Sequence, residues 1–271
     1  MSEFVPLLIF GAGKMGGAML QGALRAGWPA SMIDVIDPHP ADALRADAAR
    51  QGFTLNPTRP AAAAKLVLLA IKPQMLDSAA ATLAPHVTPE TVLVSILAGK
   101  SIADLKARLP GLRKLVRAMP NTPAAIGRGI TGAYATSTLD DAEKASVQAL
   151  LATTGRVEWI ASEALIDAVT AVSGSGPAYV FHLVEALAKA GEDVGLPADL
   201  AMRLARATIE GAGELLFQEA ATPPSTLRQN VTSPGGTTAA ALEVLMAPDG
   251  LSPLMARAVK AAKARAKALA G

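Results

Sequence analysis

Short apolar runs alternate with amphipathic stretches through the first part of the chain. The run at residues 66–71 has no polar position, which is typical of a parallel strand buried on both faces. The stretches between such runs repeat their apolar residues at helical spacing. Strands that alternate with helices predict an α/β fold with a doubly wound parallel sheet. The predicted strands are residues 7–10, 32–37, 66–71, 91–96, 114–118, 129–137 and 156–160.

The strand pattern stops near residue 161, and the chain continues as helices rich in alanine and leucine. We therefore predict two domains, a sheet domain at residues 1–161 and an all-α domain at residues 162–271. A helix predicted at residues 177–194 has an apolar stripe that includes Val180, Val184 and Leu187. Because a monomer would not cover so wide an apolar face, we expect these helices to bury it against a second subunit.

The first predicted strand runs into Gly11, Gly13 and Gly16, which have the G-x-G-x-x-G spacing. A strand, a glycine turn and a helix are the parts of a Rossmann-type dinucleotide-binding unit. Gly11 would allow the sharp turn, Gly13 would leave room for a pyrophosphate, and Gly16 would let helix and strand pack closely. The unpaired N–H groups at the helix N-terminus then favour phosphates.

Asp37 ends the second predicted strand, 21 positions after Gly16. An acidic side chain about there usually accepts hydrogen bonds from the adenosine ribose hydroxyls, and it would repel a 2′-phosphate. Asp37 therefore favours NADH over NADPH. The alternative is that Asp37 only opens the proline-rich turn at residues 37–40 and caps the next helix.

Other polar and proline-marked turns follow later strands of the sheet. In a doubly wound sheet the ligand binds beyond the carboxyl ends of the strands. Lys72, Gly99 and the segment 119–122 all lie at such ends. With two fixing prolines, the segment 117–124 is either a shelf for nicotinamide and substrate or a stiff crossover between layers.

Two further turns precede predicted helices in the second half of the chain. Glycine and serine alternate at residues 173–176, which form either a ligand site or a helix cap. The stretch 231–238 has two adjacent glycines beside the hydroxyls of Ser233, Thr237 and Thr238. Successive backbone N–H groups there could form a nest for a carboxylate. The alternative is an ordinary capped turn.

Composition narrows the classes of function. The chain has 271 residues, no Cys, three His and a formal net charge of +2, with 18% charged residues. These values exclude disulfides, argue against a nucleic-acid binder and predict no metal site. No apolar run reaches the ~18–20 residues that span a bilayer, so we expect a cytoplasmic protein with no membrane partner. No catalytic triad or carboxylate pair is recognisable, and a nicotinamide cofactor would not require one.

Six segments together resemble the Δ1-pyrroline-5-carboxylate reductase family, which performs the last step of proline synthesis. They are residues 10–17, 71–73, 95–99, 117–124, 172–181 and 232–245, of which the last is the family's signature. The resemblance implies an N-terminal Rossmann domain and a helical C-terminal domain that interleaves with a partner in homodimers, often in decamers. It also implies hydride transfer from NADH or NADPH to the cyclic imine of 1-pyrroline-5-carboxylate, giving L-proline.

The resemblance further implies roles for single residues. Thr238 would be the catalytic residue, because its hydroxyl would hydrogen-bond the ring nitrogen of the imine. The implied substrate-binding residues are Ser175, Ser233, Gly235, Gly236 and Thr237. The implied cofactor-binding residues are Gly11, Ala12, Gly13, Lys14, Met15, Gly16, Asp37, Ile71, Lys72, Pro73, Met119, Pro120 and Asn121. Asp37 departs from the many family members that use NADPH and have Ser, Thr or Arg there.

Two other functions stay open from the sequence. One is a related imine or β-hydroxyacid dehydrogenase. The hydroxyacid enzymes need a catalytic lysine on the long helix, and Lys189 lies too deep in that helix. The other is a dinucleotide-sensing protein without turnover, against which the intact loop at residues 233–238 argues.

Overall fold

The computed structural model describes residues 4–57 and 64–269. The described chain forms two compact units. The first unit extends to Gly174 and also includes the end of the chain from Lys263, whereas the second runs from Ser175 to Ala262.

A sheet forms the centre of the first unit. In the described part of the chain it has eight strands in the order β3-β2-β1-β4-β5-β6-β7-β8. The strands are β1 (Leu7–Phe10), β2 (Ile33–Ile36), β3 (Thr54–Leu55), β4 (Leu66–Leu69), β5 (Val92–Ser95), β6 (Lys114–Met119), β7 (Gly129–Ala135) and β8 (Gly155–Trp159). This order, with crossovers in both directions from β1, confirms the predicted Rossmann-type α/β fold. The two-residue strand β3 was not predicted, because it is too short to give a periodic signal.

Helices cover both faces of this sheet. The helices of the first unit are α1 (Lys14–Arg25), α2 (Asp42–Gln51), α3 (Leu76–Leu83), α4 (Ile102–Arg108), α5 (Asp141–Ala152) and α6 (Ile166–Val169). Successive strand residues point to opposite faces, so Ile9 joins an apolar cluster with α1 and α5, and Phe10 joins another with α3 and α4. Burial of the sheet on both faces explains why its strands read as continuous apolar runs.

The described sheet is mostly parallel, as the strand pattern predicts, but it includes one antiparallel pair that the pattern does not predict. Strand β7 runs antiparallel to β6, with Arg117 opposite Tyr134, whereas the other strand pairs of the described sheet are parallel. A parallel return needs a crossover of about a dozen residues or more. The β6–β7 connection is shorter and is filled by a 3₁₀ turn (Thr122–Ile126) that ends at Gly127 with φ +71°. The chain therefore turns straight back.

The first unit extends beyond the predicted boundary at residue 161. The segment that follows packs on the sheet through α6 and a π-helix (Thr170–Gly174), neither of which was predicted. Ile166 and Ala171 are fully buried. A methyl group on Gly132 of β7 would lie 2.7 Å from a Val169 methyl carbon, so these elements are in close contact. Residues 162–174 lack strand periodicity, so the sequence pattern places them in the helical domain. This pattern does not reveal that they pack on the sheet.

The second unit is helical, as predicted. Its helices are α7 (Gly176–Asp193), α8 (Ala198–Gln218), α9 (Pro224–Asn230), α10 (Thr237–Leu245) and most of α11 (Leu251–Leu269). The short helix α9 was not predicted. Large apolar side chains on α7 are exposed, among them Phe181 at 63% and Val180 at 43%. Within the described residues, none of the helices is long and apolar enough to cross a membrane.

Candidate active site

The glycine turn after β1 has the geometry that its spacing predicts. Gly11 has φ +93°, and a methyl group there would lie 2.8 Å from the Ala70 carbonyl oxygen. A methyl group on Gly16 would lie 2.0 Å from the Gly11 carbonyl oxygen. Gly11 therefore needs both conformational freedom and space, whereas Gly16 needs only space. These two glycines hold α1 directly on the end of β1.

Gly13 differs from the other two glycines, because a methyl group there would meet no atom of the described chain within 4 Å. Gly13 is exposed and is the N-cap of α1, without a side-chain hydrogen bond to the first helical turn. The backbone around Ala12, Lys14 and Met15 thus has open space before a helix N-terminus, which is the arrangement that binds a pyrophosphate.

Asp37 follows β2 and lies beside this turn. Its Oδ2 accepts a hydrogen bond from the Ala12 N–H at 2.9 Å, and its Oδ1 accepts one from the His39 N–H at 2.9 Å. Asp37 therefore forms the predicted turn and also touches the glycine loop. A carboxylate has about four acceptor positions, so capacity for ribose hydroxyls remains.

Asn56 holds the Asp37 backbone, and sequence reasoning missed it. The Asp37 N–H donates to Asn56 Oδ1, and Asn56 Nδ2 donates to the Asp37 carbonyl oxygen, both at 2.9 Å. Asn56 has φ +50°, a left-handed conformation that Asn tolerates better than most residues. The pair Asn56-Pro57 is a turn signal, but its partner 19 residues away could not be read from the sequence.

Ile71, Lys72 and Pro73 follow β4, which lies next to β1 in the sheet. The Ile71 side chain would lie 2.9 Å from a methyl group on Gly11, so it borders the glycine turn. Pro73 begins a 3₁₀ turn (Pro73–Met75) and Lys72 is exposed. The structure therefore brings the predicted residues after β1, β2 and β4 to one edge of the sheet.

Met119, Pro120 and Asn121 end β6 and begin the β6–β7 connection. Met119 is 7% exposed and Pro120 is buried. Asn121 Oδ1 accepts a hydrogen bond from the Ile130 N–H at 3.0 Å. The Oδ1 atom of Asn121 thus helps to fix the β6–β7 connection, which agrees with the interpretation of this segment as a stiff crossover. The Nδ2 group of Asn121 keeps two hydrogen-bond donors.

The second unit contains the glycine and hydroxyl loop before α10. The Gly236 N–H donates to the Ser233 carbonyl oxygen at 3.0 Å, and Gly235 has φ +69°. Pro234 and Gly235 therefore occupy the central positions of a type II-like turn. Gly236 is the N-cap of α10 and makes no side-chain capping bond.

Three hydroxyls of this loop have no hydrogen-bond partner among the described residues, namely those of Ser233, Thr237 and Thr238. By contrast, the Thr232 hydroxyl donates to the Arg228 carbonyl oxygen at 2.6 Å. Ser233 and Thr237 are exposed, and Thr238 is half-buried. Hydroxyls beside the open N–H groups of a helix N-terminus can bind an anion such as a carboxylate.

Ser175 precedes α7 and is half-buried. Its carbonyl oxygen accepts the Ala178 N–H at 3.0 Å, and its side chain makes no capping bond.

Lys189, farther along α7, is exposed and bonds to Asp193 at 2.9 Å. The hydrogen bond that Lys189 donates to the Asp193 carboxylate raises the pKa of Lys189 above its ordinary value, which disfavours a general base there. Among the described residues, no group of His, Asp and Glu is arranged to hold a metal ion.

Together, the sheet order and the glycine turn define a dinucleotide-binding protein of the Rossmann type. A family model described as "NADP oxidoreductase coenzyme F420-dependent" matches residues 7–99. A second, described as "Pyrroline-5-carboxylate reductase dimerisation", matches residues 163–269. It begins close to the domain boundary predicted at residue 161.

Relatives over the whole chain identify the family. A pyrroline-5-carboxylate reductase of Pseudomonas aeruginosa is 39% identical over 97% of this chain and 96% of its own. One of Pisum sativum is 35% identical over 97% and 96%. A solved pyrroline-5-carboxylate reductase of Coxiella burnetii is 33% identical, with a TM-score of 0.91 over 99% of this chain and 100% of that one. The chain belongs to the pyrroline-5-carboxylate reductase family, which confirms the resemblance, and the dimerisation match supports self-association through its C-terminal helices.

Proposed function

We propose that this protein reduces the ring C=N bond of 1-pyrroline-5-carboxylate to give L-proline. The observation that carries the proposal is the loop at residues 233–238, which lies inside the matched dimerisation region and has unpartnered hydroxyls beside a helix N-terminus. The substrate is a small carboxylate with a ring nitrogen, so it needs an anion site and a hydrogen-bonding group. Relatives that carry this enzyme name over nearly the whole chain give independent support.

The first unit fits a nicotinamide dinucleotide, which would supply the hydride. Open space at Gly13 would accept the pyrophosphate, and the carboxylate of Asp37 would accept hydrogen bonds from the ribose. The solved reductase of Plasmodium falciparum, 27% identical with a TM-score of 0.80, has NADP bound. The residues that we propose to hold the cofactor are Gly11, Ala12, Gly13, Lys14, Met15, Gly16, Asp37, Ile71, Lys72, Pro73, Met119, Pro120 and Asn121.

Asp37 leads us to propose NADH as the preferred cofactor. Its carboxylate accepts hydrogen bonds from the Ala12 and His39 N–H groups, and Asn56 holds its backbone. A side chain so fixed cannot swing away easily from a 2′-phosphate, and like charges in contact repel each other. NADPH binding would therefore be penalised.

Residues of the second unit would hold the substrate. The N–H groups and hydroxyls around Ser233, Gly235, Gly236 and Thr237 would bind the carboxylate, and Ser175 would add a hydroxyl. Thr238 would hydrogen-bond the ring nitrogen and so hold its proton in place. A protonated imine is already a strong electrophile, so orientation is the main task of the protein.

We also propose that the working form is a homodimer or a decamer built from dimers. The exposed apolar side chains of α7 support burial against a second copy of the chain. The cytoplasm stays the location predicted from the sequence.

The deciding experiment is the oxidation of NADH and of NADPH by the purified protein with 1-pyrroline-5-carboxylate. We expect the reduced cofactor to be oxidised when 1-pyrroline-5-carboxylate is present, and we expect proline to form, which chromatography detects. A folded protein that binds NADH but has no turnover would instead be the dinucleotide sensor. Turnover with β-hydroxyacids, but not with the imine, would identify the hydroxyacid enzyme.

A further inference from the structure

Arg117 is a buried cation inside the sheet, and beyond its place in the segment 117–124 no role is predicted for it. It lies on β6 and is 5% exposed. Its Nη1 donates to Glu163 Oε1 at 3.1 Å, and its Nη2 lies 4.0 Å from Asp167 Oδ1. Its Nε is buried without a hydrogen-bond partner in the described chain. One cation thus faces two carboxylates that both come from the segment after residue 161.

Glu163 connects Arg117 to the start of helix α4. The same Oε1 atom accepts the Ile102 N–H at 2.8 Å. Ile102 begins α4, directly after the turn that follows β5. The carboxylate of Glu163 therefore links β6 to the start of α4 and to the segment that contains α6.

The π-helix directly follows α6, the helix that contains Asp167, and it reaches the proposed nicotinamide shelf. A methyl group on Gly174 would lie 3.7 Å from the Met119 sulfur. Met119 lies two positions after Arg117 on β6, so both side chains point to the same face of the sheet. π-Helices are rare and frequently occur at functional sites. This one follows the segment that contains Glu163 and Asp167, and its last residue, Gly174, lies close to Met119.

We propose that Arg117 is a positioning residue for hydride transfer, which with Glu163 and Asp167 fixes the π-helix against Met119. The inference rests on the proposed function, in which Met119 is one of the residues that hold the cofactor. Arginine suits the task, since its planar guanidinium holds two carboxylates in fixed directions, whereas a lysine ammonium does not. A buried ion pair contributes little net stability but can define one arrangement.

The test uses Arg117→Lys, which keeps the positive charge but removes the planar guanidinium that faces both carboxylates. We expect a folded oligomer whose kcat falls at least about tenfold while its KM for NADH stays within about threefold. Hydrogen exchange at residues 170–174 should become faster, whereas the amino half of β6 stays protected. The exchange readout does not depend on turnover, so it separates failure of this inference from failure of the proposed activity.

Lys114→Met is the matched control. Lys114 lies on the same strand and also contacts two carboxylates, Glu90 at 2.6 Å and Glu143 at 2.7 Å, but at the other end of β6. It should lower stability without lowering kcat. A normal kcat and normal exchange in Arg117→Lys, or an equal loss of kcat in Lys114→Met, would overturn the inference.

Glu163→Gln is the second variant, for the case that Arg117→Lys does not fold. It keeps an oxygen acceptor for the Ile102 N–H but loses the charge that holds Arg117. We expect the same pattern, with a smaller fall in kcat and faster exchange at residues 170–174. If its kcat and its exchange both match the wild type, the positioning role is wrong.

Discussion

At the scale of single residues, the carboxylate of Asp37 forms the turn that one interpretation of the sequence predicts and stays compatible with the ribose role that the other predicts. Its bond to His39 makes the turn, and its bond to Ala12 joins it to the glycine loop. Because one oxygen serves each bond, forming the turn does not use up the acceptors that a ribose needs. A turn residue and a cofactor residue can therefore be the same side chain.

The Asp37→Ser variant should shift cofactor preference toward NADPH. The change removes a negative charge and leaves a hydroxyl that can donate to a phosphate. We expect the ratio of kcat/KM for NADH over NADPH to fall by at least about tenfold, which corresponds to about 1.4 kcal/mol. Steady-state kinetics with both cofactors measure this ratio. Asp42→Ser, in the first turn of α2, is the control and should leave the ratio unchanged. An unaltered ratio in Asp37→Ser would reduce Asp37 to a turn residue.

Thr238 and Thr232 form a matched pair of hydroxyls in one loop. The Thr232 hydroxyl is already bonded to the Arg228 carbonyl, whereas the Thr238 hydroxyl is available. Thr238→Ala should lower kcat roughly tenfold or more, because an orienting hydrogen bond to the ring nitrogen is lost. Thr238→Ser should retain most activity, and Thr232→Ala should affect stability more than kcat. Equal kcat for wild type and Thr238→Ala would remove this hydroxyl from the mechanism.

At the scale of elements, we expect two glycines of the turn after β1 to have different tasks. Gly16 should matter for folding, and Gly13 should matter for binding the cofactor. Gly16→Ala places a methyl group 2.0 Å from the Gly11 carbonyl oxygen, so helix α1 must move away from β1. We expect a loss of about 1–3 kcal/mol in the free energy of unfolding. Gly13→Ala has open space and φ −64°, so it should lose less than about 1 kcal/mol, through the poorer N-cap that Ala makes.

The Gly13→Ala methyl group should instead occupy the space of the pyrophosphate. We expect its KM for NADH to rise roughly tenfold while the fold is unchanged. Denaturant unfolding and steady-state kinetics on both variants test the division of roles. It would be refuted if Gly13→Ala lost stability as Gly16→Ala does, or if it bound NADH normally.

The elements also show what a sequence pattern can predict. A continuous apolar run such as that in β4 is a local signal, and the structure confirms the strand that it predicts. The direction of β7 was missed because it depends on the length of a connection. The links from Asn56 to Asp37 and from Arg117 to Glu163 join residues far apart in sequence, so no periodicity reveals them. A charged residue inside a buried strand run is nevertheless a readable signal of a buried partner.

At the scale of the whole molecule, self-association should depend on the apolar face of α7. Phe181 is 63% exposed, an unusual position for a large aromatic side chain unless another surface covers it. Phe181→Glu would place a charge in that interface, where its desolvation is not compensated. We expect light scattering to show a smaller species, and the circular dichroism spectrum should stay helical because the side chain is not in the core of its own unit.

Ile126→Glu is the control for this experiment, because Ile126 is 77% exposed but lies in the first unit, outside the matched dimerisation region. A general response to surface charge would change both proteins alike. Dissociation of Phe181→Glu alone would assign association to α7. If Phe181→Glu keeps the mass of the wild type at concentrations where the wild type is fully associated, this side chain lies outside the subunit interface. The interface would then have to use other exposed apolar residues of the helical unit, such as Val244 on α10.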